Sequence, residues 1–376
     1  MSTGVLIIGA GPAGLAAAYE LSHRGIRPRI VDQADRVASS WRSRHEQLHL
    51  NTHRRVSHQP GMKIPRKFGT FPARDDYVSY LEDYATFLGL PIEFGIRAVR
   101  IDGSGNHFWK VETDAGRITA QHVIVATGSD QVPYIPEWPG RNEFSGELIH
   151  AAQFRHAKYY VGKRVLLVGA GNSGVDIGNH LADVDIAPSW VSIRNGPNIA
   201  PQYALGLPAQ LIVARLRWLP VRLQDFNIAF VSRLALGDLS RLGIPAAPKG
   251  AVTRQREDGI TLSVDNGFVA ALKAKRFEVV KEIDSFGKEF VHLKDGTTIK
   301  PDAVICATGY RFGLEKLVGH LGVLDKRGWP RFVAARGSPR HPGLWFLGHN
   351  SSLYGNMNIR RQEARRLAKK IAADIS

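Results

Sequence analysis

EFSGELIHAAQFRHAKYYVGKRVLLVGAGNSG, residues 143–174, is the stretch on which the reading of this 376-residue chain turns. It ends in Gly169-x-Gly171-x-x-Gly174, directly after the apolar run 165–168. The same pattern stands near the start of the chain, Gly9-x-Gly11-x-x-Gly14 after the apolar run 5–8. In such a turn a strand feeds a tight bend, the backbone closes on a pyrophosphate, and the next helix N-terminus stabilises its charge. The first glycine permits the bend, the second leaves room for phosphate, and the third lets helix and strand pack closely. One such match is weak, because glycine-rich turns are common. Two, each between a β-branched run and an Ala- or Gly-rich helix, predict two bound dinucleotides.

Composition sets the class. With 44% hydrophobic and 22% charged residues the chain reads as globular, and its length suffices for two domains and a large core. Fifty Lys and Arg against 34 Asp and Glu leave a net charge of +16. These basic residues are spread along the chain without a nucleic-acid motif, so anionic cofactors are expected and nucleic acid is not. The apolar region 199–214 is broken by Pro201 and Pro208, and no stable membrane insertion is expected. Residues 1–14 lack the basic start of a secretory leader, which makes the cytoplasm the expected compartment. The single Cys306 excludes an internal disulfide and a CxxC redox pair. No heptad or interface segment sets an oligomeric state.

Taken in order, residues 5–8 predict a parallel strand, 13–23 a helix, and 29–31 a second strand ending in Asp32. An acid about twenty residues beyond the glycines suits a ribose hydroxyl acceptor. His45-Glu46-Gln47-Leu48-His49 matches HExxH formally, but that zinc motif works only on a helix. Residues 48–51 alternate as an extended segment would, so no metal site is expected. Residues 77–88 predict a helix with Tyr77, Tyr80, Leu81, Tyr84 and Leu88 on its core face. Short strands follow at 96–101, 108–113 and 118–120, with turns at Gly103, Gly105 and Gly116. Another buried strand, 123–128, ends in Ala126, Thr127 and Gly128, small residues that let backbone approach a ligand.

In the second half, 165–168 and 190–193 predict strands around a helix at 173–181. The second strand ends in Arg194 and not in an acid. A guanidinium there pairs with a ribose 2′-phosphate, so the second dinucleotide reads as NADP. The apolar, Arg-rich stretch 204–236 reads either as an amphipathic lid or membrane-touching surface, or as an insertion packed on the second domain. Residues 303–309 repeat the 123–128 pattern and end in Ala307, Thr308 and Gly309, with Cys306 a buried small residue. A last strand ends at Gly348, before a polar loop and a basic helix at about 359–373. The fold expected is α/β, with two Rossmann-like dinucleotide-binding domains and the second inserted in the first: 1–155, 156–304, and a return segment 305–376.

These features together resemble the class B flavin-dependent monooxygenases, closest to the short YUCCA-like branch. The family places F-x-G-x-x-x-H-x-x-x-F/Y/W between its FAD and NADPH fingerprints, and Phe144, Gly146, His150 and Phe154 match every fixed position. The similarity spans nearly the whole chain and includes FPARDDYVSYLEDYA, LGDLSRLGI and ICATGYR. The resemblance implies FAD at Gly9, Gly11, Pro12, Ala13, Gly14, Asp32, Ser40 and Trp41. It implies NADPH at Gly169, Gly171, Asn172, Ser173, Gly174 and Arg194. The family's GGxW is Ala38-Ser39-Ser40-Trp41 here, which keeps only the Trp. Asn51 falls close to the family's active-site Asn, which bridges flavin and nicotinamide, and is the catalytic candidate. His150 and Phe154 read as packing residues of the linker. The implied reaction inserts one oxygen atom from O2 into a small-molecule substrate through a C4a-(hydro)peroxyflavin, with an aromatic 2-oxo acid, amine, sulfide or ketone all open as substrate. The alternative is an NADPH-dependent flavoprotein reductase serving a partner protein.

Overall fold

The apolar run that follows Met1 lies at the heart of a seven-stranded sheet in a computed structural model of the chain, which describes residues 2–104, 108–204 and 206–375. Strand Ser2–Ile8 pairs in parallel with Arg29–Val31 on one side and with Gly116–Val125 on the other. Its side chains alternate between two cores. Val5 and Ile7 face a cluster built by Ala13, Ala16 and Ala17 of helix Pro12–Ser22 and by Ala364, Leu367 and Ile371 of helix Asn356–Ile375. Leu6 and Ile8 face Trp109, Val111, Leu317 and Phe346. Burial on both faces is why the strand is continuously apolar and not alternating.

The alanines of helix Pro12–Ser22 leave room for the closing helix, and deletion of bulk there is what allows two helices on one face. Helix Arg74–Leu88 buries Tyr77, Tyr80, Leu81 and Tyr84, as its spacing predicts. Their hydroxyls reach a neighbouring strap: Tyr80 donates to the Met62 carbonyl at 2.6 Å and Tyr84 to that of Pro60 at 2.8 Å.

Two expectations for this region need correction. Residues 118–120 and 123–125 form one ten-residue strand, Gly116–Val125. Its first half pairs antiparallel with Phe108–Thr113 and its second half in parallel with Leu344–Phe346. A change of partner halfway along leaves no break in the backbone, so no turn residue marks it. Gly103 lies inside strand Ala98–Ser104, opposite Trp109, and not in a turn. The Gly105 turn lies outside the described residues.

A second sheet has five parallel strands in the order Phe277–Val280, Ser189–Ser192, Val165–Val168, Ala303–Cys306, Glu147–His150. Val165 and Leu167 face helices Asn172–Ala182 and Phe268–Lys273. Leu166, Val168, Val304 and Cys306 face a three-stranded antiparallel sheet through Ile283, Phe286, Val291 and Leu293. Cys306 is fully buried, and burial pushes its thiol up to about 12.

The chain divides into two compact units: Met1–Ser43, Thr52–Val132 and Tyr310–Ser376 in the first, Arg44–Asn51 and Pro133–Gly309 in the second. Sequence reading divides it at 155/156 and 304/305. The difference has a specific cause. The Ala-Thr-Gly strand Ala303–Cys306 is not a return into the first sheet; it pairs with Val165–Val168 as Gly116–Val125 pairs with Ser2–Ile8. Each sheet builds its own copy of the same strand pair. Strand Glu147–His150, inside the stretch read as a linker, joins the edge of the second sheet.

Candidate functional site

In the first unit the glycine turn is locked by contacts that exclude any side chain. Gly9 has φ +111°, and a Cβ there would lie 2.6 Å from the Ala126 carbonyl oxygen. A Cβ on Gly14 would lie 1.8 Å from the Gly9 carbonyl oxygen. Gly11, by contrast, opens onto free space. It caps helix Pro12–Ser22 without a side-chain acceptor for the first-turn N–H groups, and Pro12 stands at the helix start. This leaves backbone donors aimed out of the turn, the arrangement that takes an anion.

Asp32 braces the same turn. The Ala10 N–H donates to its Oδ2 at 2.6 Å and the Ala34 N–H to Oδ1 at 2.8 Å. Each carboxylate oxygen keeps acceptor capacity for a hydroxyl. Gly348, φ +83°, approaches Ala13 so closely that a Cβ would come within 2.8 Å of the Ala13 Cβ and 3.5 Å of Arg360 Nε. Thr127 Oγ1 lies 3.4 Å from His349 Nε2, and Gly128 follows at φ +87°. Trp41 packs edge-on against Tyr77 at 4.7 Å, and Tyr77 in turn feels the charge of Arg360. Ser40 is exposed, and its carbonyl accepts from Ser43 Oγ.

Around this turn stand four polar groups that sequence reading missed. His349 Nδ1, Asn350 Oδ1, Arg360 Nε and Glu363 Oε2 are buried atoms without a hydrogen-bond partner. Burial, helped by the Arg360 charge, pushes the His349 imidazole down to about 3. Burial lowers the Arg360 guanidinium and raises the Glu363 carboxyl. Orphaned buried polar atoms are rare in native proteins and mark places where a ligand supplies the partner. The sequence did hold a signal. Glu363 lies in the buried stripe with Ala364, Leu367 and Ile371, and half-buried Arg360 lies one turn before it on the same face, placing two charges where apolar residues belong.

The second unit repeats the device. Gly169 has φ +98°, with a Cβ 2.8 Å from the Ala307 carbonyl oxygen, and a Cβ on Gly174 would meet the Gly169 carbonyl oxygen at 2.0 Å. Gly171 again opens onto free space at the start of helix Asn172–Ala182. Asn172 Nδ2 donates to Thr261 Oγ1 at 2.8 Å, which makes this side chain a brace. Ser173 is half-buried in the first turn. Arg194 is exposed, two residues beyond strand Ser189–Ser192. Thr308 Oγ1 donates to the Tyr134 carbonyl, and the Gly309 carbonyl accepts from the Tyr134 N–H at 3.1 Å.

The linker motif packs within this unit. The His150 imidazole Nε2 lies 3.0 Å from the Gly309 carbonyl oxygen, Phe144 meets Phe286 edge-on at 5.4 Å, and Phe154 stacks on Tyr160 at 5.6 Å. A Cβ on Gly146 would collide with the Phe144 ring at 2.5 Å. These side chains tie the end of strand Glu147–His150 to the segment that follows strand Ala303–Cys306.

Residues 44–51 are not helical, so His45 and His49 do not form a zinc pair. His45 instead reaches Asp176, with Nε2 2.8 Å from Oδ2, and His180 lies one turn on with Nε2 3.8 Å from Oδ1. The three could hold a metal ion by proximity. Against that, His45 Nδ1 is buried without a partner, whereas a ligating His normally donates its second N–H to an outer group. We read the trio as a clip. With Glu46 N–H to the Arg155 carbonyl and the Ala157 N–H to Gln47 Oε1, it holds the segment that ends in Asn51, whose side chain is half-buried. His45→Ala should cost about 2 kcal/mol by leaving the Asp176 carboxylate short of a partner in a mostly buried site. The denaturant midpoint reads this. An unchanged midpoint would mean the two backbone bonds hold the segment alone.

The family model described as pyridine nucleotide-disulphide oxidoreductase matches residues 6–196. An indole-3-pyruvate monooxygenase of Oryza sativa subsp. japonica, YUCCA1, is 32% identical over 329 residues, 86% of this chain and 80% of that protein. Among solved structures, a flavin-containing monooxygenase from Stenotrophomonas maltophilia superposes with a TM-score of 0.76 at 24% identity, covering 100% of this chain and 99% of that one. A bacillithiol disulfide reductase from Bacillus cereus superposes at 0.70 and 18% identity, with both chains covered in full. The fold is therefore common to oxygenases and disulfide reductases, and at these identities it does not separate them.

Proposed function

Because the chain belongs to the flavin-dependent monooxygenase family that includes the YUCCA-type enzymes, we propose that it is an FAD- and NADPH-dependent monooxygenase. In this reading it inserts one oxygen atom from O2 into a small organic substrate. Both units are Rossmann-like. The first takes FAD and the second, inserted in it, takes NADPH, with the borders at the limits of the two compact units. The observation that supports this most directly is the doubled turn, each copy open at its second glycine and closed at its first and third.

FAD fits the first unit. Gly9, Gly11, Pro12, Ala13 and Gly14 would hold its pyrophosphate, and Asp32 a ribose hydroxyl. The orphaned atoms of His349, Asn350, Arg360 and Glu363 offer donors and acceptors for the polar edges of a flavin ring, near Trp41, Thr127, Gly128 and Gly348. A flavin held there, with NADPH as reductant, would supply the oxygen chemistry. The chain's own part is to bind, orient and exclude water. Asn51 is the proposed catalytic residue, its carboxamide orienting the reacting groups. Disulfide exchange is disfavoured by Cys306, a lone thiol that is fully buried and held protonated by burial. The relatives' substrate, indole-3-pyruvate, makes an aromatic 2-oxo acid the first class to offer.

Stopped-flow absorbance tests the proposal. The NADPH-reduced protein mixed with oxygenated buffer should pass through a transient spectrum distinct from oxidised and reduced flavin. Direct return to oxidised flavin, with brisk reduction of an added electron carrier, would shift the reading to a reductase.

NADPH itself fits the second unit through Gly169, Gly171, Ser173, Gly174 and Arg194, with Asn172, Thr308 and Gly309 shaping the turn. Arg194→Ser should lower kcat/KM for NADPH about a hundredfold and leave that for NADH within a few-fold, because a charge-assisted pair to phosphate is worth roughly 1.5–3 kcal/mol. Equal losses with both nucleotides would remove Arg194 from the site.

A further inference from the structure

Helix Val221–Leu236 turns the wrong face to solvent. Gln224, Ile228 and Leu236 are buried, and Asp225 is committed inward, accepting from the Val252 N–H and from Thr253 Oγ1, both at 2.6 Å. On the outer face Leu223, Phe226, Phe230 and Leu234 are 49%, 65%, 57% and 72% exposed. At about 100° per residue these four fall within roughly 80° of arc, so they form one stripe. Phe226 and Phe230 stack on each other at 6.2 Å. Just before the helix, Trp218 is 78% exposed. It is held there: the buried Gln224 amide donates to the Arg217 and Leu219 carbonyls on either side of it, at 3.2 and 2.7 Å. An apolar stripe of this size on a solvent face marks an interaction surface.

The charges say with what. Residues 209–236 contain Arg215, Arg217, Arg222 and Arg233 and a single acid, the inward Asp225. Among the described residues Arg215, Arg217 and Arg222 pair with no carboxylate, and Arg233 reaches only Asp238, at 3.3 Å. On the helix Arg222 and Arg233 lie beside Phe226, along one border of the stripe. Trp, Phe and Leu bordered by Arg is the pattern of a helix lying in a lipid interface. A second copy of the chain fits poorly. A two-fold contact on this face would bring four arginines against their own copies with no outward acid to pair them. No helix among the described residues is long and apolar enough to cross a membrane.

We propose that the outer face of helix Val221–Leu236, together with Trp218, docks the protein on an anionic phospholipid surface, lying on the bilayer without spanning it. The test is sedimentation of the full chain, as purified, with vesicles of phosphatidylcholine alone or with phosphatidylglycerol added. Binding should be strong with phosphatidylglycerol, weak without it, and reduced by raising NaCl from about 0.1 M to about 0.5 M, since added salt shortens the range of surface electrostatics. The double variant Phe226→Gln/Leu234→Gln should bind at least about tenfold more weakly, because its buried apolar area is gone. Its NADPH-driven flavin reduction and thermal midpoint should match the parent, which separates lost docking from lost folding. Absence of sedimentation with both vesicle types would overturn the proposal. So would binding that is unchanged in the double variant. Light scattering that shows a dimer dissociating in the double variant, without vesicle binding by the parent, would assign the face to a second copy instead.

Discussion

Gly174→Ala is expected to yield a protein that keeps its flavin and reduces it with NADPH about a hundredfold more slowly. The added Cβ would lie 2.0 Å from the Gly169 carbonyl oxygen, and that oxygen is backbone, so it has no rotamer to escape into. The turn must open by more than an ångström. A displacement of about 1 Å at a positioning element costs on the order of a hundredfold in rate. The damage stays local, because Gly174 touches the second sheet's own Gly169 and Ala307. Gly14→Ala, with its Cβ 1.8 Å from the Gly9 carbonyl oxygen, makes the equivalent change in the first unit. It should instead give flavin-free protein, or none that is soluble. Flavin content and anaerobic reduction rate measured on both variants decide the matter. If Gly174→Ala loses its flavin, or Gly14→Ala keeps it, the assignment of one cofactor to each turn is wrong.

This pair of variants also shows which parts of the molecule were legible beforehand. Gly9 and Gly14, and Gly169 and Gly174, are forced by sterics within a few residues, so a one-dimensional pattern suffices to find them. Strand 29–31 and the tyrosine face of helix Arg74–Leu88 were legible for the same reason: period and local chemistry agree. What failed was long-range pairing. Residues 303–309 look like 123–128, and on sequence alone that likeness suggests a return to the first sheet. The resemblance is real, but it reflects two sheets using the same strand beside the same turn. No local feature distinguishes a strand that returns from one that is duplicated.

The buried polar cluster was legible only in part, as two charges on an otherwise apolar helix stripe; its assembly was not, for a related reason. His349 and Asn350 follow a strand, Arg360 and Glu363 belong to a helix rich in arginine, and nothing in their spacing brings them to Thr127. The same holds for His45, whose partner Asp176 lies 131 residues away. The formal HExxH match, set aside because 48–51 read as an extended segment, carries no hint of that partner. The stripe on helix Val221–Leu236 lies between these cases. Its composition was visible in the sequence, but which face is buried depends on Ile228 and Gln224 packing inward.

His349 leads to the second large effect: stability should fall steeply on acidification, and this one side chain should account for a measurable part. Its imidazole is pushed down to about 3 in the fold, mainly by burial, against about 6.5 in an unfolded chain. A group with a depressed folded value stabilises the fold fully above the unfolded value. That contribution is lost as pH drops from about 6.5 toward about 3, because only the unfolded chain takes up the proton. Between pH 7.5 and pH 5 the loss from His349 alone comes to about 2 kcal/mol at roughly 1.4 kcal/mol per pH unit. His58, His122, His150 and His180 are depressed by burial as well and add to the same limb. His349→Asn keeps a polar side chain and removes the titration. Denaturant unfolding of parent and variant at both pH values isolates the term. The variant should lose about 2 kcal/mol less than the parent between the two, whatever its stability at pH 7.5. Equal losses would mean that the imidazole finds a proton-accepting partner in the folded protein. Flavin content followed over the same range says whether that partner is the flavin itself. If loading with FAD raises acid stability in the parent and not in His349→Asn, the orphaned Nδ1 is a flavin contact; if it raises both equally, His349 only lines the pocket.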